Sequence, residues 1–231
     1  MARISFHNVC VRFDEDEHDV LHNINLELTE RRIGIIGANG SGKSTLARLI
    51  NGLGSPTSGT VSVDGLDVDK KGAAVRKRVG FIFSDAENQI IMPRVKEDIA
   101  FSLRKQRLSK SEKNTRVAAA LQRFGLSPHA DQSPHTLSGG QKQLLALAAV
   151  LVTNPDVIIA DEPTTLLDLS NRLRIQEEFR QLEQQLIVVT HDLDLISDFE
   201  RVICIDNHTV VADGPATEVI EFYTNLMKAR H

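Results

Sequence analysis

The chain has no tryptophan, one tyrosine and two cysteines among 231 residues. So few cysteines cannot staple a fold of this length, and stability has to come from a packed core. Cys10 and Cys204 each sit in an apolar, strand-like run and are expected to be buried, reduced thiols. No Cys/His group has the spacing of a zinc site. Long apolar runs are missing too. The longest, Leu144 to Val152, falls far short of the ~20 residues a membrane-crossing helix needs. The opening Met1-Ala2-Arg3-Ile4-Ser5-Phe6 has no apolar signal-peptide core. Any membrane role is therefore expected to run through a partner. Positive charge is not in excess: 27 Lys and Arg against 31 Asp and Glu leave a formal net charge of −4. That balance points away from a nucleic-acid surface.

What is present is the composition of a globular domain, 41% hydrophobic and 25% charged. Ile4 to Phe13 and Val20 to Leu28 are rich in β-formers, with Ile24, Leu26 and Leu28 on one face, and predict an antiparallel pair. Ile33-Gly34-Ile35-Ile36-Gly37 reads as a buried parallel strand and Lys43 to Gly52 as a helix. Pro56 to Gly59 reads as a turn, and strands follow at Val61-Val63 and Val79-Phe83. Between about Pro93 and Pro134 the β-branched runs stop, and Ile99, Leu103, Val117, Leu121 and Phe124 recur at helical spacing. A helical subdomain at 93–134, inserted into one domain spanning 1–231, is expected. Beyond it the pattern predicts a buried helix (Gly140 to Thr153), a strand (Val157 to Ala160), a polar helix (Leu169 to Gln185) and strands at Leu186-Val189, Val202-Ile205 and Thr209-Ala212. A helix from Ala216 to Met227 closes the order. Alternating strands and helices predict an α/β fold with a mainly parallel sheet, ligands binding at the carboxyl ends of its strands.

Two motifs fall at such strand ends. Gly37-Ala38-Asn39-Gly40-Ser41-Gly42-Lys43-Ser44 matches G-x-x-x-x-G-K-[ST] between a predicted strand and a predicted helix. Its glycines let amides turn inward around phosphate oxygens, and the helix amino end, with Thr45 in its first turn, adds a positive dipole. Lys43 is assigned to the β- and γ-phosphates and the Ser44 hydroxyl to Mg²⁺. Val157-Ile158-Ile159-Ala160-Asp161-Glu162 is an apolar strand ending in two carboxylates. Asp161 is assigned to Mg²⁺, directly or through water, and Glu162 to the attacking water.

Leu137-Ser138-Gly139-Gly140-Gln141 resembles the signature motif of the ABC ATPase family. The resemblance implies that two subunits pack head to tail. The signature of each then meets the ATP on the phosphate loop of the other. Further motifs appear in the family's order. Pro163 to Asp168 is similar to the D-loop segment, with Asp168 at its acidic position, and Val188-Val189-Thr190-His191-Asp192 to the switch, where His191 would contact the γ-phosphate. Phe13 stands where the family stacks an aromatic on adenine. The implied fold is a P-loop NTPase core of mainly parallel sheet with an antiparallel β subdomain and the inserted helices. One departure stands out. After Val79-Gly80-Phe81-Ile82-Phe83 the family carries a glutamine that reaches Mg²⁺, and here the residue is Ser84. Gln89, in Asp85-Ala86-Glu87-Asn88-Gln89, instead matches the characteristic glutamine of energy-coupling-factor (ECF) transporter ATPases.

The resemblance therefore implies an ATP-hydrolysing subunit, using ATP and Mg²⁺, that energises an importer of a vitamin or a transition-metal ion. Ser84 together with Ile91-Met92-Pro93 leans toward the biotin type, with cobalt or nickel as the alternative cargo. Implied partners are a second ATPase subunit, a homodimer being favoured because all motifs are in one chain, a transmembrane coupling subunit and a substrate-binding membrane subunit. No nucleic acid is expected. The implied location is peripheral, on the cytoplasmic face of the cell membrane. A groove near Gln89, Ile91, Met92 and Ala100 is expected to receive the membrane subunit. The competing reading, a non-transport ATPase acting on nucleic acid or ribosomes, would call for a coiled-coil insertion, zinc modules or a second ATPase domain. A nucleotide-gated scaffold without turnover is opposed by the presence of Glu162 and His191.

Overall fold

A computed structural model describes residues 1–12, 19–165 and 167–230. The chain folds as two compact units. The first comprises Met1–Gly80, Asp156–Glu162 and Leu182–His231, the second Phe81–Pro155 and Pro163–Gln181.

The first unit opens with β1 (Ile4–Val11) and β2 (Leu21–Leu28), paired antiparallel as predicted. Their register shifts twice, beside Asn8 and beside Asn23, which both take positive φ, and the second shift turns Leu21 onto the same buried face as Ile24. After α1 (Lys43–Asn51) the chain enters β4 (Ser58–Val63), which adds to the other edge of β1. The strand takes up Ser58 and Gly59, expected to lie in a turn, because β1 offers them an edge to pair with. Asp64 and Gly65, both at positive φ, turn the chain into the short β5 (Leu66–Asp67). Helix α2 (Val68–Val75), which carries little periodic signal, is started by Asp67, whose carboxylate accepts the Lys70 amide at 3.1 Å.

The larger sheet places β3 (Arg32–Gly37) between two parallel neighbours, β8 (Gln185–Val189) and β9 (Arg201–Asp206). Strand β7 (Val157–Asp161) runs parallel to β8, and β10 (Thr209–Gly214) closes the opposite edge antiparallel to β9. Asn207 and His208 adopt positive φ in the two-residue turn between β9 and β10. Residues Ile33 to Ile36, Val157 to Asp161, Gln185 to Val189 and Val202 to Asp206 are buried throughout, as strands covered on both faces must be. Strand β6 (Val79–Ile82) carries the chain from the first unit into the second, and α7 (Ala216–Lys228) ends the first.

The second unit is helical. It holds α3 (Val95–Ser102), α4 (Lys110–Arg123), α5 (Gly139–Leu151) and α6 (Leu169–Arg180). Capping boxes, Ser109 with Glu112 and Ser138 with Gln141, start α4 and α5. Residues Gln143 to Val150 of α5 are buried, so this helix forms the unit's core. Helix α6 stops five residues before the expected Gln185. Leu182, the next apolar residue, is buried in the first unit, and Arg31 and Arg32 bind the carbonyls of Leu182 and Gln184 as the chain turns into β8. Among the described residues no helix is long and apolar enough to cross a membrane.

Candidate nucleotide site and the signature turn

The phosphate loop leaves β3 at Gly37 and enters α1 at Lys43. Glycine is required at both hinges. A Cβ on Gly37 (φ 147°) would lie 2.0 Å from the Ile205 carbonyl oxygen, and one on Gly42 (φ 103°) 2.5 Å from that of Val20. Ser41 is buried, and its hydroxyl has no hydrogen-bond partner in the protein. Lys43 is buried as well, its ammonium donating to the Ala38 carbonyl at 2.8 Å. Burial pushes the Lys43 pKa down, against the pull of Glu162 and Asp161. Ala38, Asn39, Gly40 and Thr45 complete the loop and the first turn of α1 as the sequence placed them.

At the end of β7 the Asp161 carboxylate accepts the Ser44 hydroxyl at 2.8 Å and lies 3.8 Å from the Arg48 guanidinium. Burial pushes Asp161 up, opposed by the Ser44 bond and by Arg48. A buried cation and a buried carboxylate, each penalised by desolvation, suit a ligand bearing both a negative phosphate chain and a divalent metal. The free Ser41 hydroxyl and the loop amides fit phosphate oxygens, and the Ser44 and Asp161 oxygens fit a hard cation such as Mg²⁺. Glu162 sits at φ 51°, a left-handed conformation uncommon outside glycine. Its amide donates to the Val189 carbonyl at 2.8 Å, and its carboxylate meets His191 Nδ1 at 2.9 Å. His191, just beyond β8, keeps 62% of its side chain exposed, against 18% for Glu162. The geometry thus pairs the two residues that the sequence placed 29 positions apart. Phe13 lies outside the described residues.

The second unit carries the signature. Leu137 is buried. The Ser138 hydroxyl accepts the Gln141 amide at 3.3 Å, and the Gln141 carbonyl oxygen accepts the Ser138 amide at 2.9 Å. A Cβ on Gly139 would meet nothing within 4 Å, so the space above this turn is open. One on Gly140 would lie 2.2 Å from the Asn171 side chain. Asn171 in turn donates its backbone and side-chain N–H to the Asp168 carboxylate, at 2.8 and 3.0 Å. Asp168 therefore caps α6 and fixes the residue that packs on the signature. Ser84 is exposed. Gln89 folds back on its own segment, accepting the Phe83 amide at 3.2 Å and donating to the Phe81 carbonyl at 3.4 Å. The buried Gln143 donates to the Phe83 carbonyl at 3.4 Å.

The expected single groove is two, and Gln89 lines neither. Ile91 and Met92 line one with Glu87, Pro93, Pro134 and His135, while Ala100 lines another with Lys96, Val117 and Leu121. Asp98 shapes the first by accepting the Ile91 and Met92 amides at 2.9 and 3.0 Å. Sequence reasoning missed Arg48, Asp98, His129, Asn171 and Gln143. Only Asn171, three residues after an N-capping Asp, had a local signal. It missed a further cluster: ligand atoms of Cys10, Asp19 and His22 lie within 4.8 Å of one another. Both Asp19 oxygens are engaged, by Arg12 at 2.8 Å and His22 at 3.0 Å, and the half-buried Cys10 sulfur accepts the Asn23 amide. The arrangement holds the base of the β1–β2 hairpin closed. Cys204, the other free thiol, is buried, which pushes its pKa up to about 11.

Residues 21–165 match the family model described as ABC transporter. The biotin transport ATP-binding protein BioM of Rhizobium etli is 48% identical over 206 residues, covering 89% of this chain and 92% of that protein. The energy-coupling factor transporter ATP-binding protein EcfA1 of Bacillus subtilis is 36% identical over 232 residues, 97% of this chain and 83% of that protein. Among solved structures, cbiO1 from Clostridium perfringens, described as part of the ABC transporter complex cbiONQ, superposes with a TM-score of 0.83 at 31% identity, covering 94% of this chain and 90% of that one.

Proposed function

Since this chain belongs to the ABC transporter ATPase family, we propose that it powers an ECF-type importer as one of two identical ATPase subunits, with biotin as cargo. The observation that carries the ATPase reading is the strand-end constellation: Ser44 bonded to Asp161, and Glu162 beside it bonded to His191. Likeness to the relatives named for ECF and biotin transport supports the transporter type and the cargo.

In this reading the loop amides, the Ser41 hydroxyl and Lys43 grip the β- and γ-phosphates. Ser44 and Asp161 hold Mg²⁺, which would neutralise charge on the phosphates. Glu162 accepts a proton from the attacking water, and His191 contacts the γ-phosphate while its Nδ1 holds the Glu162 carboxylate. Phe13 stacks on adenine. Leu137 to Gln141 of one copy close over the ATP of the other, with Asp168 bracing that turn through Asn171. Ser84 stands at the position where the family carries its metal-reaching glutamine. Gln89 keeps the end of β6 in shape beside the Ile91–Met92 groove, which takes the cytoplasmic helices of a transmembrane coupling subunit. The subunit is peripheral, on the cytoplasmic membrane face, and closure and reopening of the pair drive the partner.

The test is affinity isolation of the tagged full chain from detergent-solubilised native membranes, followed by protein identification. A small polytopic subunit together with a substrate-binding membrane protein supports the ECF reading, and binding of labelled biotin by that second protein supports the cargo. Two ordinary permeases with an external binding protein would sink the ECF assignment. Ribosomal proteins without any membrane protein would sink transport altogether.

A further inference from the structure

The capping box that starts α5 uses glutamine, which leaves a loose end. With Glu at this position both carboxylate oxygens are acceptors. With Gln141 the carbonyl oxygen takes the Ser138 amide, so the remaining atom is an NH2 group that needs acceptors. His129 Nε2 lies 3.1 Å from it. Because Gln141 Nε2 can only donate, His129 Nε2 must be the bare ring nitrogen, and the ring proton must sit on Nδ1. Nδ1 lies 2.8 Å from Gln132 Oε1, an acceptor. The hydrogen-bond directions are thus set from one backbone amide outward: Ser138 N–H fixes Gln141, Gln141 fixes the tautomer of His129, and His129 fixes Gln132.

The far end of this chain is anchored. The carbonyls of Ala130 and Gln132 accept the Lys96 and Val95 amides at 3.0 and 3.1 Å, so the 129–132 turn caps the amino end of α3. Lys96 also pairs with Asp131. Two turns of residues, both in the second unit, are therefore tied together: the start of α3, whose Asp98 shapes the Ile91–Met92 groove, and the start of α5, which is the signature.

We propose that His129 is a positioning residue for the signature turn, its neutral Nδ1–H tautomer accepting the Gln141 amide and so holding Ser138 and the α5 amino end in the geometry that meets the partner copy's nucleotide. The proposal deepens the ATPase reading and rests on it. A lysine at 129 can only donate, and places a cation against the Gln141 NH2. A glutamine can accept as the imidazole does. A leucine fills the site but accepts nothing.

The experiment compares His129→Lys, His129→Gln and His129→Leu, with Gly139→Asp as control. Steady-state ATPase is measured on the transporter complex isolated with each full-length chain, and binding of a fluorescent ATP analogue and melting temperature on the chain itself. His129→Lys is expected to cut kcat about tenfold or more while analogue binding to the chain's own phosphate loop stays within about twofold. His129→Gln is expected to recover turnover to within about threefold of the parent. Parental kcat in His129→Lys overturns the proposal, as does a His129→Gln enzyme as slow as the lysine variant, since only bulk would then matter. If His129→Lys fails to fold, His129→Leu takes its place, and parental kcat in that variant overturns the proposal as well. Gly139→Asp separates the two levels: parental turnover in that variant means that the signature reading itself is wrong, irrespective of His129.

Discussion

At Lys43 and Asp161 the protein holds two opposite charges in a setting that favours neither. Burial lowers the lysine and raises the aspartate, and the neighbouring charges and the Ser44 hydrogen bond only partly offset it. Glu162 differs. It is largely buried, on a strained left-handed backbone, and its carboxylate is aimed by His191. A backbone conformation of this kind is costly by roughly 1 kcal/mol or more and persists where the surroundings impose it. Here the Glu162 amide on the Val189 carbonyl does so. Glu162→Gln keeps that geometry and removes the base. ATP binding is expected to be retained while kcat falls at least about tenfold, and by as much as the roughly 10² to 10⁴ that a positioned general base contributes. Turnover close to that of the parent enzyme would remove Glu162 from the chemistry.

At the scale of the element, the start of α5 shows two effects of opposite sign. Replacing a helical glycine by alanine ordinarily stabilises by about 1 kcal/mol. At Gly140 the added methyl would lie 2.2 Å from an Asn171 side chain that Asp168 holds by two hydrogen bonds. Overpacking of this kind costs about 1 to 3 kcal/mol and wins. Gly140→Ala is therefore expected to lower the melting temperature, and Asn171→Ala in the same chain to restore part of it; a rise in the single variant would show that Asn171 yields freely. The periodic elements were legible because their burial is one-sided or complete: β3, β7 and α5 read directly as apolar runs. Helix α2 was not, since Lys70, Lys71 and Gly72 interrupt any stripe and only Val68 and Val75 are buried. The overlong reading of α6 has the opposite origin: helical spacing persists past Arg180, and Arg31 and Arg32, distant in sequence, decide where the chain turns.

At the scale of the whole molecule, Arg201 gathers the lower edge of the large sheet. It pairs with Asp213 at 2.6 Å and Glu30 at 3.1 Å and donates to the Glu27 carbonyl. Burial raises the Glu30 carboxyl, but the amides of Thr29 and Glu30 and the Arg201 guanidinium outweigh it and hold the group below its usual range. A carboxyl lowered by folding contributes stability that is complete above its unfolded value, about 4.3, and is lost as pH falls through the lower folded value. Urea unfolding across the acid range is expected to show this decline, and Arg201→Met to flatten it while reducing stability at neutral pH. An unchanged acid limb in that variant would mean that the pair does not govern it.

The sequence by itself determined the local chemistry: which strand ends carry carboxylates, where a loop must wrap phosphate, and which glycine-rich turn opens a buried helix. Those features follow from residue type and spacing within about ten positions. The tertiary structure alone decided the pairings between distant positions: Ser44 with Asp161, Glu162 with His191, Gly140 with Asn171, and His129 with Gln141. The physical reason is directional. Hydrophobic periodicity records which face a residue turns inward, whereas a hydrogen bond of about 3 Å depends on which atom of another element lies opposite, and only the packed chain sets that.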